Sequence, residues 1–258
     1  MNRPPYGIVV VFSGGQDSTT TLFWAKHHFE KVHAITFDYG QKHAIELEAA
    51  KKVAAMAEVD HHEIIKVGPI LRGSSPLTTG GPVEQLASLA DAKAGVQDTF
   101  VPGRNLLFLT LAANYAYANG MLDVATGVCQ ADFGGYPDCT QAFIDAAQAV
   151  IRKAMSGSEE DPFADFTIHT PLMDLTKAES IDLAITFNGC MKAMAYSHTA
   201  YGGEYPPIGK DHATLLRAKG FLEAGVPDPL VVRAFREGLM PLPDTLNYKN
   251  IQLEFDFS

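Results

Sequence analysis

Gly7-Ile8-Val9-Val10-Val11-Phe12 runs directly into Ser13-Gly14-Gly15-Gln16-Asp17-Ser18. The first half has no polar face, which marks a parallel strand covered on both sides. The second half breaks that strand. Its two glycines let the backbone turn sharply and approach a ligand closely. A helical stretch follows, to about residue 28. A strand that stops at a glycine-rich loop and hands over to a helix collects backbone N–H groups and the positive end of a helix dipole at one point, and such a point binds anions. Ser13, Ser18 and Thr19 add hydroxyls. Asp17 beside a phosphate calls for a cation between them, which points to Mg2+. The loop lacks the lysine of GxxxxGK[ST] and the spacing of GxGxxG. The plainer reading of the same residues is a turn with an N-cap at Asp17 or Ser18.

Outward from this loop the chain alternates between apolar β-rich runs and helical stretches. Strands are expected over 32–37 and 62–67, with a helix over 42–56 between them. That is βαβαβ, the start of an open, doubly wound, mainly parallel α/β sheet with 7–12 central and 13–18 at its C-terminal edge. Residues 68–99 are rich in Gly, Pro, Ser and Thr and read as a long loop with one short helix over 83–89. Further helices are expected over 105–119, 140–155, 177–187 and 211–224, and further strands over 122–128 and 166–170. The alternating tail 251–257 suits an edge strand. Residues 1–195 read as the nucleotide-binding domain and 196–258 as a small C-terminal helical segment.

The chain has 258 residues and a formal net charge of −10. A chain this long buries a core without disulfides or a structural metal. The acidic balance argues against a broad nucleic-acid surface. No apolar run approaches the ~20 residues that span a bilayer, and the N-terminus has no signal-peptide layout. Three cysteines, Cys129, Cys139 and Cys190, form no framework, which fits a reducing cytoplasm.

Ser13 to Ser18 after an apolar strand resembles the signature of the PP-loop ATP pyrophosphatase superfamily. There the loop holds the pyrophosphate part of ATP while adenylate passes to an acceptor oxygen. Five segments resemble one family of it, the 7-cyano-7-deazaguanine synthases (QueC): FSGGQDSTTTL at 12–22, TFDYGQKH at 36–43, TFVPGRNLLFL at 99–109, GVCQADFGGYPDC at 127–139 and TPLMDLTK at 170–177. Their order and spacing extend the resemblance over roughly 6–224. It implies an ATP-dependent ligase that turns 7-carboxy-7-deazaguanine and ammonia into the nitrile of queuosine biosynthesis. The acid is adenylylated, ammonia gives the amide, and a second adenylylation gives the nitrile. It also implies a homodimer, with ATP and Mg2+ as cofactors, small-molecule partners and no direct contact with nucleic acid or membrane.

On this reading Asp17, Lys177 and Arg104 are the catalytic candidates. Phe12, Ser13, Gly14, Gly15, Gln16, Asp17, Ser18 and Thr19, with Asp38 and Tyr39 after the second strand, bind nucleotide. Asp38 also reads as a capping residue. Arg104 suits a phosphate or the acid substrate, or a surface ion pair. Lys177 opens a helix against the dipole, and the resemblance places it on the reacting phosphate. Asp132, Tyr136 and Asp138 offer carboxylates for guanine-type N–H edges and a stacking face, though Asp and Gly also simply build turns. His43 is a phosphate or substrate contact. The paired histidines at 27–28 and 61–62 are assigned no chemistry.

One stretch departs from the family, which carries four zinc cysteines near its C-terminal end. Ala200, Ile208, Asp211 and Thr214 stand at those places here, so thiolate zinc is impossible and no zinc is expected. Ala200 and Ile208 are expected to bury apolar surface and Asp211 to cap the next helix. Asp211, His212 and His198 are the alternative metal set. Two other functions compete with the nitrile synthase. One is a tRNA sulfur-inserting enzyme using Cys129 and Cys139. The other is a divergent relative adenylylating a different acid or a protein partner.

Overall fold

The computed structural model describes residues 6–40, 45–68, 70–92, 95–130, 135–201 and 203–249. Strand β1 (Gly7–Val11) is the centre of a five-stranded sheet, flanked by β2 (Lys31–Asp38) and β4 (Asp123–Thr126), with β3 (His61–Lys66) and β5 (Thr167–His169) outside them. All four pairings are parallel, in the order β3-β2-β1-β4-β5. The reason β1 has no polar face is visible in its packing. Ile8, Val10 and Phe12 enter one apolar cluster, and Val9 and Val11 the other. Side chains alternate across a strand, so a strand between two helical layers needs apolar residues at every position.

Helices α1 (Gln16–His28), α2 (Ile45–Met56), α6 (Lys177–Thr186), α7 (Cys190–Met194) and α8 (His212–Glu223) cover the first face, through residues such as Leu22, Val53, Ile181, Met194 and Phe221. Helices α4 (Arg104–Ala118) and α5 (Gln141–Met155) cover the second, through Leu109, Ala113, Ile144 and Ile151. The short α3 (Pro76–Thr79) lies in the long connection after β3, and α9 (Pro229–Arg236) follows α8. The chain leaves β1 toward one face and reaches β4 from the other. Strand order therefore reverses between β1 and β4, where open α/β sheets place their ligand crevice. Phe221 shares the cluster of Leu22 and Ile181, so the segment after residue 195 closes over the main core.

Helix α1 buries Ser18, Thr19, Thr20 and Thr21. Three of these hydroxyls bond carbonyls one turn back: Thr19 Oγ1 to Gly15 O (2.8 Å), Thr20 Oγ1 to Gln16 O (3.3 Å) and Thr21 Oγ1 to Asp17 O (2.9 Å). A polar helix start can be buried when its hydroxyls are satisfied this way.

Two features differ from the sequence expectation. No helix forms over 83–89. Leu86 N–H instead donates to Lys210 O (2.8 Å) and Lys210 N–H to Gln85 Oε1 (2.8 Å), so this stretch is held by the segment before α8. The helical turn forms earlier, where Ser75 caps Pro76 at the first helical position. Strand β4 also ends at Thr126, and at Gly127 the chain passes close to the loop, where a Cβ would lie 3.0 Å from the Asp17 carbonyl carbon. The tail 251–257 lies outside the described residues.

Arg217 of α8 pins the C-terminal segment. Its Nε donates to Asp228 Oδ2 (2.6 Å) and its Nη2 to Asp228 Oδ1 (2.8 Å), while Nη1 reaches Ser197 Oγ (2.8 Å) and Thr199 Oγ1 (2.9 Å). Both partners are buried. Asp228→Ala should lower unfolding stability by about 3–5 kcal/mol, since it strands a buried guanidinium. The urea midpoint checks this, and a loss below about 1 kcal/mol would mean that water replaces the carboxylate.

Candidate active site

The loop after β1 lies at the switch point. Its cap is Gly15, which has no side chain to bond the first-turn N–H groups of α1. The reading of Asp17 or Ser18 as an N-cap therefore fails, and the helix start stays open to an anion. Ser13 and Ser18 stiffen the loop through an Oγ···Oγ contact of 3.0 Å, and Ser18 Oγ donates to Gly15 O (3.1 Å). Gly14 adopts φ +80°, and a Cβ there would lie 2.7 Å from the Ala50 nitrogen of α2. His198 N–H donates to Gly14 O (2.9 Å), tying the segment before α8 to the loop. Gln16 is buried, and its Nε2 has no hydrogen-bond partner among the described residues. A buried donor left open in a loop of this kind fits a site made for an acceptor-rich ligand.

Lys177, the first residue of α6, reaches across 160 positions to bond Asp17 with Nζ 2.8 Å from both carboxylate oxygens. Its residue is 8% exposed. A lysine here opposes the helix dipole. The helix start is secured by a capping box in which Thr176 and Glu179 satisfy each other, and Lys177 reaches the loop. Gly220 of α8 makes room for it: a Cβ there would meet Lys177 Cγ at 2.3 Å.

These groups line one wall of a cavity of about 580 Å3. Arg104, the first residue of α4, stands on the other. Burial costs its guanidinium solvation, but Tyr39, Tyr201, Tyr136 and Asp138 face it and together hold its pKa above the ordinary value. Burial also pushes the Tyr39 and Tyr201 hydroxyls up. Tyr136 bonds Thr99 Oγ1 (2.5 Å) and stacks on Phe100 at 5.4 Å, which fixes its ring. Glu46, in the first turn of α2, completes the wall. Burial raises its pKa from an ordinary 4.5 to about 7, with Arg104 pulling the other way.

The chain matches the model of the family described as "Queuosine biosynthesis protein QueC" over residues 7–225. A 7-cyano-7-deazaguanine synthase of Gloeobacter violaceus is 49% identical over 224 residues, 86% of this chain and 94% of that protein. One of Laribacter hongkongensis is 46% identical over 234 residues, 90% of this chain and 96% of that protein. This chain belongs to the QueC family. Among solved structures, a predicted subunit of tRNA methyltransferase from Methanocaldococcus jannaschii overlaps it with a TM-score of 0.44 at 15% identity, over 93% of this chain and 94% of that one, and nothing further is drawn from that overlap.

The QueC relationship gives the segment 197–217 its interest. Asp211 caps α8, accepting from Ala213 N–H (3.0 Å) and Thr214 N–H (3.1 Å), and its other oxygen accepts from Thr214 Oγ1 (2.7 Å). Asp211 and Thr214 thus bond each other. Ala200 is buried, but Ile208 is 65% exposed, against the expectation that it packs inward. It sits in a loop held by Ile208 N–H to Pro206 O and by Lys210 N–H to the Gln85 side-chain oxygen, and its side chain lies on the solvent side. His198 Nε2 bonds Ala200 O (2.9 Å), so that nitrogen is taken. These residues do not fit a zinc ion. Among the described residues no group of three His, Cys, Asp or Glu is placed to hold a metal.

Of the residues singled out in the sequence, Phe12, Ser13, Gly15, Gln16, Asp17, Ser18, Tyr39, Arg104, Tyr136 and Lys177 line the common cavity. Gly14 and Thr19 support it from behind, through the turn and the Gly15 carbonyl. Asp38 accepts from Gly40 N–H (3.2 Å) and Asp138 from Asn105 N–H (3.4 Å), so both act on the backbone beside the cavity. His43 and Asp132 lie outside the described residues. Glu46 and Tyr201 also line the cavity and were not marked, and His198 and His212, marked only as part of an alternative metal set, line it too. Glu46 hides in a helix that reads as solvated, and its only sequence signal is its place one turn before Ala50, which touches the loop.

Gly220→Ala should leave the fold intact and cut turnover at least about tenfold, because the new methyl displaces the Lys177 stem. Steady-state kinetics with a thermal melt checks this, and wild-type turnover would mean that the lysine position is not limiting.

Proposed function

We propose that this chain is an ATP-dependent 7-cyano-7-deazaguanine synthase. The observation that carries the reading is the Lys177–Asp17 pair beside an open helix start, facing Arg104 across one cavity, in a chain that matches the QueC family over nearly its whole fold. Backbone N–H groups of the α1 start, with Gln16 Nε2, hold phosphoryl oxygens. Arg104 orients the substrate carboxylate opposite the α-phosphorus, and Tyr39 and Tyr136 border the space for the deazaguanine and nucleoside rings. A carboxylate oxygen attacks that phosphorus and pyrophosphate leaves. The Lys177 ammonium neutralises charge on the departing group. Mg2+, when bound, would offset phosphate charge, and Asp17, already paired with Lys177, is the carboxylate of the loop that would face it. Ammonia then displaces AMP, and the same centre adenylylates the amide oxygen on the way to the nitrile.

The cavity suits small molecules, and the charge of −10 disfavours direct contact with nucleic acid. Among the described residues no helix is long and apolar enough to cross a membrane. A cytoplasmic homodimer completes the proposal. Sulfur insertion is disfavoured by the thiols themselves. Burial pushes Cys139 up to about 12, and Cys129 Sγ donates to Leu175 O (3.0 Å), whereas sulfur transfer needs a ready thiolate.

Incubated with ATP, ammonia and 7-carboxy-7-deazaguanine, the protein should form AMP, pyrophosphate and the nitrile, as read by mass spectrometry. Asp17→Asn should reduce AMP formation at least about 100-fold. No acid-dependent AMP from the wild type would defeat the assignment. The gently purified protein should hold no stoichiometric zinc. One zinc per chain, with a melting temperature that falls on chelation, would overturn the account of the 197–217 segment.

A further inference from the structure

Glu46 lines the cavity together with the loop after β1 and Arg104. Ala50 of the same helix presses on Gly14 of the loop. Residues four apart share a helix face, about 5–6 Å between Cβ atoms, so Glu46 continues the loop-facing side of α2 toward the cavity. On its other side are the Arg104 guanidinium and the Tyr39 hydroxyl. The carboxyl thus shares one cavity with the loop that suits phosphates and the cation that suits the substrate acid. We propose that Glu46 is the base that takes the protons from nitrogen as the amide and then the nitrile form. This rests on the reading of the chain as a nitrile-forming synthase.

The chemistry requires such a group. At neutral pH ammonia is mostly ammonium, which has no lone pair to attack with. A carboxylate binds that cation and takes one proton. The C–N bond then forms, the carboxylate, its first proton passed to solvent, takes a second from that nitrogen, the C–O bond to AMP breaks, and AMP leaves with the electron pair. In the second round the amide oxygen attacks the α-phosphorus of a further ATP, and pyrophosphate leaves. One N–H proton goes to the base. AMP then leaves with the C–O pair as the remaining N–H proton is removed, which closes the C≡N bond. Glu46 returns each proton to solvent between steps.

The surroundings suit this timing. A carboxyl with a pKa near 7 is poised for proton transfer at neutral pH. Negative charge from a bound triphosphate favours its neutral form, and departure of pyrophosphate restores the carboxylate when a base is needed. The titratable groups facing it are Arg104 of α4 and Tyr39 after β2. Asp17, Lys177 and His212 line the same cavity, and His62 of β3 contacts Phe12 behind it. Helix α2 turns Ala49, Ala50, Val53 and Ala54 inward, so its buried positions bring no further charge.

The test separates the half-reactions of Glu46→Gln. Exchange of labelled pyrophosphate into ATP, dependent on 7-carboxy-7-deazaguanine and without ammonia, should stay within about threefold of wild type. Amide and nitrile formation should fall about 100-fold. Hydroxylamine, largely unprotonated at pH 7, should still trap the acyl adenylate at near wild-type rate. Starting from the amide, nitrile formation by wild type should rise through about pH 7, and the variant should lose that rise. The fold control has a defined sign. A carboxyl whose pKa rises on folding adds stability below its unfolded pKa and loses it as pH rises through about 7, so the variant should melt no lower than wild type above pH 7. Amide formation by the variant at wild-type rate, or loss of exchange together with synthesis, overturns the proposal. Absence of exchange in the wild type overturns the function itself.

Discussion

The ion pair between Lys177 and Asp17 is the constraint around which the molecule is built. It joins the first loop to a helix that begins 160 residues later. Three glycines exist to let backbones close on it: Gly14 against α2, Gly127 against the Asp17 carbonyl and Gly220 against the lysine stem. A methyl at any of them meets an atom at 3.0 Å or less. The pair also keeps the carboxylate from repelling an incoming anion, because the charge of Asp17 is already answered. The loop therefore presents open N–H groups and a neutralised acid together.

Much of this was legible in the chain, and the reasons are local. Residues 7–12 have no polar face, so they could only be a strand buried on both sides, and that strand places residues 13–18 at the sheet's C-terminal edge. Lys177 was marked because a lysine at a helix start contradicts the dipole. What escaped depends on tertiary placement. Nothing in 83–89 shows that Lys210 will satisfy the Leu86 N–H and hold the stretch extended. Ile208 reads as a packing residue until the loop around it is seen to turn its side chain out. Glu46 carries no local anomaly, since a glutamate in the first turn of a helix is favoured by the dipole alone.

The C-terminal segment is held by a hydrogen-bonded network. Here Asp211 receives three donors from the start of α8, and Arg217 five residues on spreads its guanidinium over Asp228, Ser197 and Thr199. Ser197 and Thr199 flank His198, whose N–H bonds the loop carbonyl of Gly14. The Arg217 network thus runs to the loop after β1 through covalent neighbours. Position 208 has no place in it, which is why that residue can face solvent.

The second wall of the cavity follows a different logic. Arg104 faces the hydroxyls of Tyr39, Tyr136 and Tyr201 and the carboxyl of Asp138, and burial pushes both Asp138 and the nearby Glu46 toward their neutral forms. A fully paired guanidinium would have little to offer an anionic substrate. Tyrosine hydroxyls solvate the cation without cancelling it. The wall therefore keeps net positive character at a place that is costly to leave charged, and a carboxylate arriving from solution would supply the missing charge. Opposite it, the loop has spent its own carboxylate on Lys177 and keeps only dipoles and donors. One wall is thus suited to a carboxylate and the other to a phosphate chain, which is the pairing that an acyl adenylate requires.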